Sequence, residues 1–323
     1  MLQTLILLAL VIGTAAVLRV VQLDRETTRP YARSFDGEVY RVGAAYLAVR
    51  RARQRPRCSV IAVPGFLEEI WYFAEQYDDP DIELILYNNA DYHLPIESPA
   101  IQEPAWGSMG DQPVGTIEYD AEIVNRALEH LVSSAQVRIH GHSRGGAVVL
   151  EAALQRPDLH RDGSRAMEYV LEAPVLPGGR IHYSLAAGTN SVGLWLMPAL
   201  MPVMRRLPMA LIGRVIFGPP RCRLAKLDFA SRLWRNPRRA RTVVTNVRNI
   251  VDWMKRTDAR VYQSLSRGLI AVGHRDLILS RRHMIESATR AEPVLQVVQP
   301  DGCSHMVIQD RPDVVPPPYD HEA

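Results

Sequence analysis

Lysine is almost missing from this chain. Lys226 and Lys255 are the only two in 323 residues, so nearly all of its positive charge is arginine. The net charge is only +3, from 38 basic and 35 acidic residues. Arginine runs such as Arg50-Arg51-Ala52-Arg53 and Arg238-Arg239 come without any recognised nucleic-acid motif, and they read as a solvated surface. Cysteine is scarce too. Cys58, Cys222 and Cys303 are odd in number and widely spaced, which excludes a disulfide framework and a zinc-type ligand spacing. There is no internal repeat and no metal motif, so no metal or organic cofactor is expected. What remains is ordinary globular material, 47% hydrophobic and 23% charged.

Charge is also absent from the first 18 residues. Residues 1–23, with Arg19 reaching toward the headgroups, are long enough to cross a bilayer, which takes about 20 residues. A cleaved signal peptide is the competing reading, since Thr14-Ala15-Ala16 offers small residues for cleavage. No Lys or Arg precedes the apolar run, however, as a signal peptide requires. A single-pass N-terminal anchor is therefore expected. Arg19, Arg25, Arg29 and Arg33 follow the run, so the positive-inside rule places the main domain on the cytoplasmic side.

Beyond a polar linker, 24–36, short apolar runs alternate with helical periodicity. Strands are expected within Glu38–Arg50 and at Ser59–Val63, Glu83–Tyr87, Val137–His140, Tyr169–Ala173, Leu269–Val272 and Leu295–Val298. Helices are expected at Ile117–Val132 and Gly145–Gln155. This alternation implies an α/β fold with a mostly parallel sheet covered on both faces. The gap between Ala173 and Leu269 holds no clear core strand. It is rich in apolar residues and methionine, from Leu194 to Met204, at Ile212–Gly218 and at Val251–Met254. A structureless loop of that length is improbable in a compact domain, so residues 183–262 are expected to form a helical cap. The core is then 37–182 and 263–315, with a flexible tail at 316–323.

The run Val137-Arg138-Ile139-His140-Gly141-His142-Ser143-Arg144-Gly145-Gly146 sets a serine between glycines, after an apolar strand and before a helix. A hydroxyl is a weak nucleophile until a base takes its proton. A sharp strand-to-helix turn lifts Oγ clear of the sheet, and glycines two before and two after leave room for it. The helix dipole and the N–H of Arg144 then face the position of a developing oxyanion. The plainer alternative is a glycine-rich turn whose serine only caps the helix.

With these residues the region from about Ser59 to Val315 resembles the α/β-hydrolase superfamily, of serine esterase and lipase type. Gly141-His142-Ser143-Arg144-Gly145-Gly146 looks like its nucleophile elbow. That superfamily runs its triad in the order serine, acid, histidine. The resemblance therefore implies His305, in Asp301-Gly302-Cys303-Ser304-His305, as the base, with His321 a poor rival in the tail. It implies Asp276, after Leu269–Val272 through Gly273-His274-Arg275, as the acid, with Glu172 as the second candidate. The second oxyanion donor falls in Pro64-Gly65-Phe66-Leu67-Glu68, by the match at Phe66, with Leu67 also open. Proline stands there in place of the family's usual histidine, but the donor is a backbone N–H and the chemistry survives the change. His142 and Arg144 flank the serine and are open as substrate contacts. His140 reads as a strand-end residue and Cys303 as packing. The stretch 88–116, with Trp106, either lines the pocket or wraps the surface.

A serine, a base and an oxyanion hole imply acyl transfer through an acyl-enzyme. Water as acceptor gives a carboxylic ester hydrolase, and the methionine-rich cap with the anchor favours apolar, lipid-like acyl groups. An acyltransferase or thioesterase with the same triad is the alternative. A non-catalytic hydrolase-fold binding protein is the third reading, disfavoured by a complete Ser143, Asp276 and His305 set. Oligomeric state is not legible.

Overall fold

The computed structural model describes residues 1–29, 31–161, 163–206, 224–292 and 294–319. Its sheet contains β1 (Glu38–Val42), β2 (Ala45–Arg50), β3 (Cys58–Val63), β4 (Ile82–Asn88), β5 (Ile101–Gln102), β6 (Gln136–His142), β7 (Ala166–Glu172), β8 (Gly268–Ala271) and β9 (Leu295–Val298). Their spatial order is β5-β1-β2-β4-β3-β6-β7-β8-β9. The six strands from β4 to β9 in that order are mutually parallel, while β2 pairs antiparallel with both β1 and β4. The expected strand region Glu38–Arg50 is thus a hairpin. Gly43 turns it at φ 55°, in the left-handed region where glycine carries no Cβ penalty.

Both faces of the sheet are covered, which explains the unbroken burial of β3 and β4. Alternate residues serve two cores. Ile61, Val63, Ile85, Ile139 and Leu171 pack with α2 (Ile117–His130) and α3 (Arg144–Gln155). Val60, Ala62, Leu84, Leu86 and Val170 face Tyr72, Phe73, Tyr77 and Tyr319 on the other side. Helix α2 starts where sequence patterning puts it, with Thr116 Oγ1 accepting from Tyr119 N–H and Glu118 and Asp120 in its first turn. After α3 the chain forms the short α4 (Pro157–Arg161).

Among the described residues, the long gap between β7 and β8 consists of helices joined by loops and contains no sheet strand. It holds α5 (Ala186–Thr189), α6 (Ser191–Met204), α7 (Leu224–Arg232) and α8 (Ala240–Arg256). The apolar run Ile212–Gly218 lies outside the described residues, as do Cys222 and His321. Helix α8 is more deeply embedded than a covering layer requires, because Ile250, Trp253 and Met254 join the core beneath α3. The C-terminal part contains α9 (Arg281–Ala288) and α10 (Val307–Asp310).

Two terminal segments differ from their sequence reading. The tail is docked at its start: Arg138 donates to the carbonyls of Pro316 and Pro317, and Tyr319 Oη bonds to Val137 N and O. The linker 24–36 is pinned by Asp24–Arg241 and Glu26–Arg238 ion pairs and by Arg33 N–H to Pro95 O. Preceding it, α1 (Leu2–Leu23) has no buried residue and a mean hydropathy of 2.4, long and apolar enough to cross a membrane. Arg19 donates to the carbonyl of Trp195 on α6, at 2.8 Å.

Candidate active site

The loops that follow β3, β6, β8 and β9 share one edge of the sheet. The chain leaves β3 toward β4 on one side and returns to β6 on the other, so a topological switch point lies between β3 and β6. Crevices of open α/β sheets form at such points, beyond the carboxyl ends of the strands. Ser143 stands there, directly after β6.

Its backbone is held at φ 52°, ψ −118°, outside the regions an L-residue prefers. Such a conformation costs on the order of 1–3 kcal/mol and persists only where its surroundings impose it. The glycines around it are steric necessities. A Cβ at Gly145 would lie 2.0 Å from Val63 O, one at Gly141 2.6 Å from Gly145 O, and one at Gly65 2.8 Å from Ser143 Cβ. The side chain of Ser143 makes no cap bond to α3, which removes the helix-cap alternative.

Oγ pairs instead with His305 Nε2, at 2.8 Å. His305 Nδ1 lies 2.8 Å from Asp276 Oδ2, and Asp276 Oδ1 accepts from the N–H groups of Ile278 and Leu279. A carboxylate can only accept, so Nδ1 carries the hydrogen and Nε2 is free to accept from the serine hydroxyl. All three residues are buried, at 5% exposure or less. The structure therefore brings together the three residues singled out from sequence.

Glu172 goes elsewhere. Its Oε1 accepts from Tyr72 Oη and from Ile308 N–H, and its Oε2 lies 3.3 Å from His140 Nε2. Burial works against its charge, but His142, His140 and the Tyr72 hydroxyl outweigh that and lower its pKa. Arg144 also turns inward. Its guanidinium is 1% exposed, pairing with Asp120 at 2.5 Å and with Gly115 O, so it is no substrate contact. Its backbone N–H opens α3 and remains in place beside Ser143. In the loop after β3, Leu67 N–H donates to Tyr92 Oη, at 3.1 Å. Among the described residues Phe66 N–H has no acceptor, which leaves Phe66 rather than Leu67 as the candidate donor. Asn236 Nδ2 to Leu67 O and Asn89 Nδ2 to Gly65 O fix that loop.

Cys303, two residues from His305, is buried, and burial pushes its thiol up to about 11. That excludes a ready thiolate and agrees with a packing role. Trp106 stacks on His130 and packs on the α2 side of the sheet, so it wraps the surface rather than lining the site. Sequence reading missed Glu68 and the buried polar set around His142, His140, Tyr72 and Tyr77. Polar residues at strand ends carry no periodic signal, and only their convergence in space marks them.

No family model and no curated protein matches this chain. Solved structures do. An E-2-(acetamidomethylene)succinate hydrolase aligns at a TM-score of 0.56 and 16% identity, covering 87% of this chain and 96% of its own. An esterase from Exiguobacterium antarcticum aligns at 0.58 and 12%, covering 86% and 96%. A monoacylglycerol lipase from Paleococcus ferrophilus aligns at 0.52 and 17%, covering 82% and 91%. This chain has the α/β-hydrolase fold. At these identities the likeness establishes the architecture, and an α/β-hydrolase fold hosts many activities, so function has to be argued from the site.

Proposed function

We propose that this α/β-hydrolase is a serine hydrolase of carboxylic esters. The observation that carries the reading is the Ser143 Oγ–His305 Nε2–Asp276 Oδ2 series, with both links at 2.8 Å, on a serine whose backbone is strained toward the N-terminus of α3. In this reading Oγ attacks the ester carbonyl carbon and Nε2 takes its proton. The carbonyl oxygen becomes an oxyanion facing the N–H groups of Phe66 and Arg144. Collapse expels the alkoxide, which takes the proton from Nε2 and departs as the alcohol. Water then repeats the sequence on the acyl-enzyme and releases the acid. Asp276 stays ionised throughout, holding the imidazole tautomer and stabilising the imidazolium.

Apolar acyl groups suit the segment 183–262, read as a cap, in which α6 is apolar along its length with Val192, Leu200 and Val203 exposed. The membrane reading of α1 supports this choice. A helix of 22 residues is about 33 Å long, little more than the roughly 30 Å hydrocarbon layer, so nearly all of it lies at membrane depth when it spans. The half-buried face of α1, at Ala15, Ala16, Arg19, Gln22 and Leu23, packs on α6. Helix α6 would then sit at the bilayer, where lipid esters are concentrated. The main domain on the cytoplasmic side follows from the arginines after α1.

The test is release of p-nitrophenol from esters of graded chain length by detergent-solubilised protein and by Ser143→Ala. Turnover by the wild type alone, with an optimum at medium or long chains, is expected. Absence of turnover on every ester, with both proteins folded, would sink the reading. Turnover that needs an added alcohol or thiol acceptor would instead favour an acyltransferase.

A further inference from the structure

His142, the residue before Ser143, has no part in the proton relay, yet its ring touches both the loop that offers the oxyanion donor and the loop that carries the base. The imidazole is fully buried and stacks on Tyr72, with centroids 4.5 Å apart. Nε2 lies 2.9 Å from the backbone carbonyl of His305. A carbonyl only accepts, so Nε2 carries a hydrogen. Nδ1 lies 2.8 Å from Glu68 Oε2, and that same oxygen accepts from Gly65 N–H. A carboxylate oxygen already accepting one N–H is suited to accept a second, which makes both ring nitrogens donors.

We propose that His142 is a positioning residue whose imidazolium form braces the oxyanion loop, through Glu68, against the loop that carries His305. The inference rests on the ester-hydrolase reading above. Glu68 is the hinge of the arrangement. Its carboxylate packs against Gly65, where an added Cβ would meet both of its oxygens at 2.8 Å, and it orders the turn that presents Phe66 N–H. At the other nitrogen, the bond to His305 O fixes the backbone from which the base projects. One ring thereby sets the distance between an oxyanion donor and the general base, on either side of Ser143. A displacement near 1 Å in such a constellation is enough to slow the chemistry by up to about a hundredfold.

The surroundings favour the charged ring. Burial opposes it, but the Glu68 and Glu172 carboxylates and the bonds to Glu68 and His305 O outweigh burial and hold the pKa up to about 9. The other titratable groups facing the ring are Tyr72, whose hydroxyl is pushed well up by burial and by Glu172, His140, whose pKa burial lowers against the pull of Glu172, and His305 itself, with ring centroids 4.9 Å apart.

The experiment combines a pH–rate profile with an activity-independent readout. Turnover of a short-chain ester is followed by pH-stat for wild type, Glu68→Gln and His142→Gln. Wild-type kcat is expected to fall as pH passes about 9. Glu68→Gln removes the counter-charge and should shift that fall down by about one pH unit or more. His142→Gln should lower kcat by on the order of tenfold to a hundredfold, leave KM unchanged and lose the alkaline fall. A limb that stays in place in Glu68→Gln, or wild-type kcat in His142→Gln, overturns the proposal. Nitrogen-15 NMR of the ten histidines at neutral pH gives the second readout. The His142 signals, assigned by their loss in His142→Gln, should show both nitrogens protonated in wild type. A singly protonated ring overturns the proposal whatever the turnover. If wild type lacks ester turnover while Ser143 still labels with a fluorophosphonate, the substrate reading fails, and the NMR result alone decides the role of His142.

Discussion

Lys226 Nζ reaches Ser304 Oγ at 2.7 Å and Asp310 Oδ1 at 2.5 Å, tying α7 to the residue that precedes His305. Asp310 closes the cluster by accepting from Ser304 N–H and Oγ–H. One of two lysines in the chain is therefore spent inside the protein, 2% exposed, where the segment between β7 and β8 meets the base-bearing loop. Lys226→Met leaves Asp310 without its cation in a largely buried place. Loss of one partner from a buried pair costs about 3–5 kcal/mol, and this pair, with Asp310 partly exposed, should fall at or below that range. Thermal unfolding measures the stability loss, and a fall in kcat for short esters reports the released loop. Wild-type values for both would show that α7 does not support the base.

Asp276 and Glu172 were rivals as the acid, and their contacts separate them. Asp276→Asn should lower kcat by about 10³–10⁴ while the protein stays folded, since the amide favours the wrong imidazole tautomer. Glu172→Gln loses the charge that accepts from Tyr72 and Ile308. Its first effect should be a lower melting temperature, with a much smaller change in turnover. Comparable kinetic losses in the two variants would reopen the assignment.

Stability should peak near neutral pH, because two buried histidines titrate in opposite directions on folding. His142 has a pKa raised to about 9, so its contribution is complete below its unfolded value, about 6.5, and is lost as pH rises through 9. His160, bonded to Tyr169 Oη and Asn125 Oδ1, has a pKa lowered by burial to about 4. Its contribution is complete above about 6.5 and is lost as pH falls through 4. Denaturant midpoints across that range should form a dome. His142→Gln should flatten the alkaline side alone, and His160→Gln the acid side alone.

Trp195 lies on α6 at the contact with α1, and it is partly exposed. If α1 spans a bilayer, α6 lies against it, and the Trp195 indole is expected to come within reach of the acyl chains. In vesicles, brominated acyl chains should quench part of the tryptophan emission, and Trp195→Phe should remove that part. Equal quenching in both proteins would place α6 in water.

Some of this was decided by local sequence and some was not. The short runs at Ser59–Val63, Val137–His140 and Tyr169–Ala173 are legible as buried parallel strands, because both sheet faces need hydrophobic cover. The glycines at 141 and 145 mark the turn at Ser143 because no other residue fits beside Val63 and Gly145. Those are neighbour-to-neighbour constraints, written within a few residues of where they act. The docking of Tyr319 on β6 and the inward turn of Arg144 depend on partners distant in the chain. So does His142, whose two ring partners come from 74 and 163 residues away. A buried polar group is stable only when its acceptors arrive with it. That arrival is a property of the folded sheet, where the ends of strands far apart in sequence are brought to one edge.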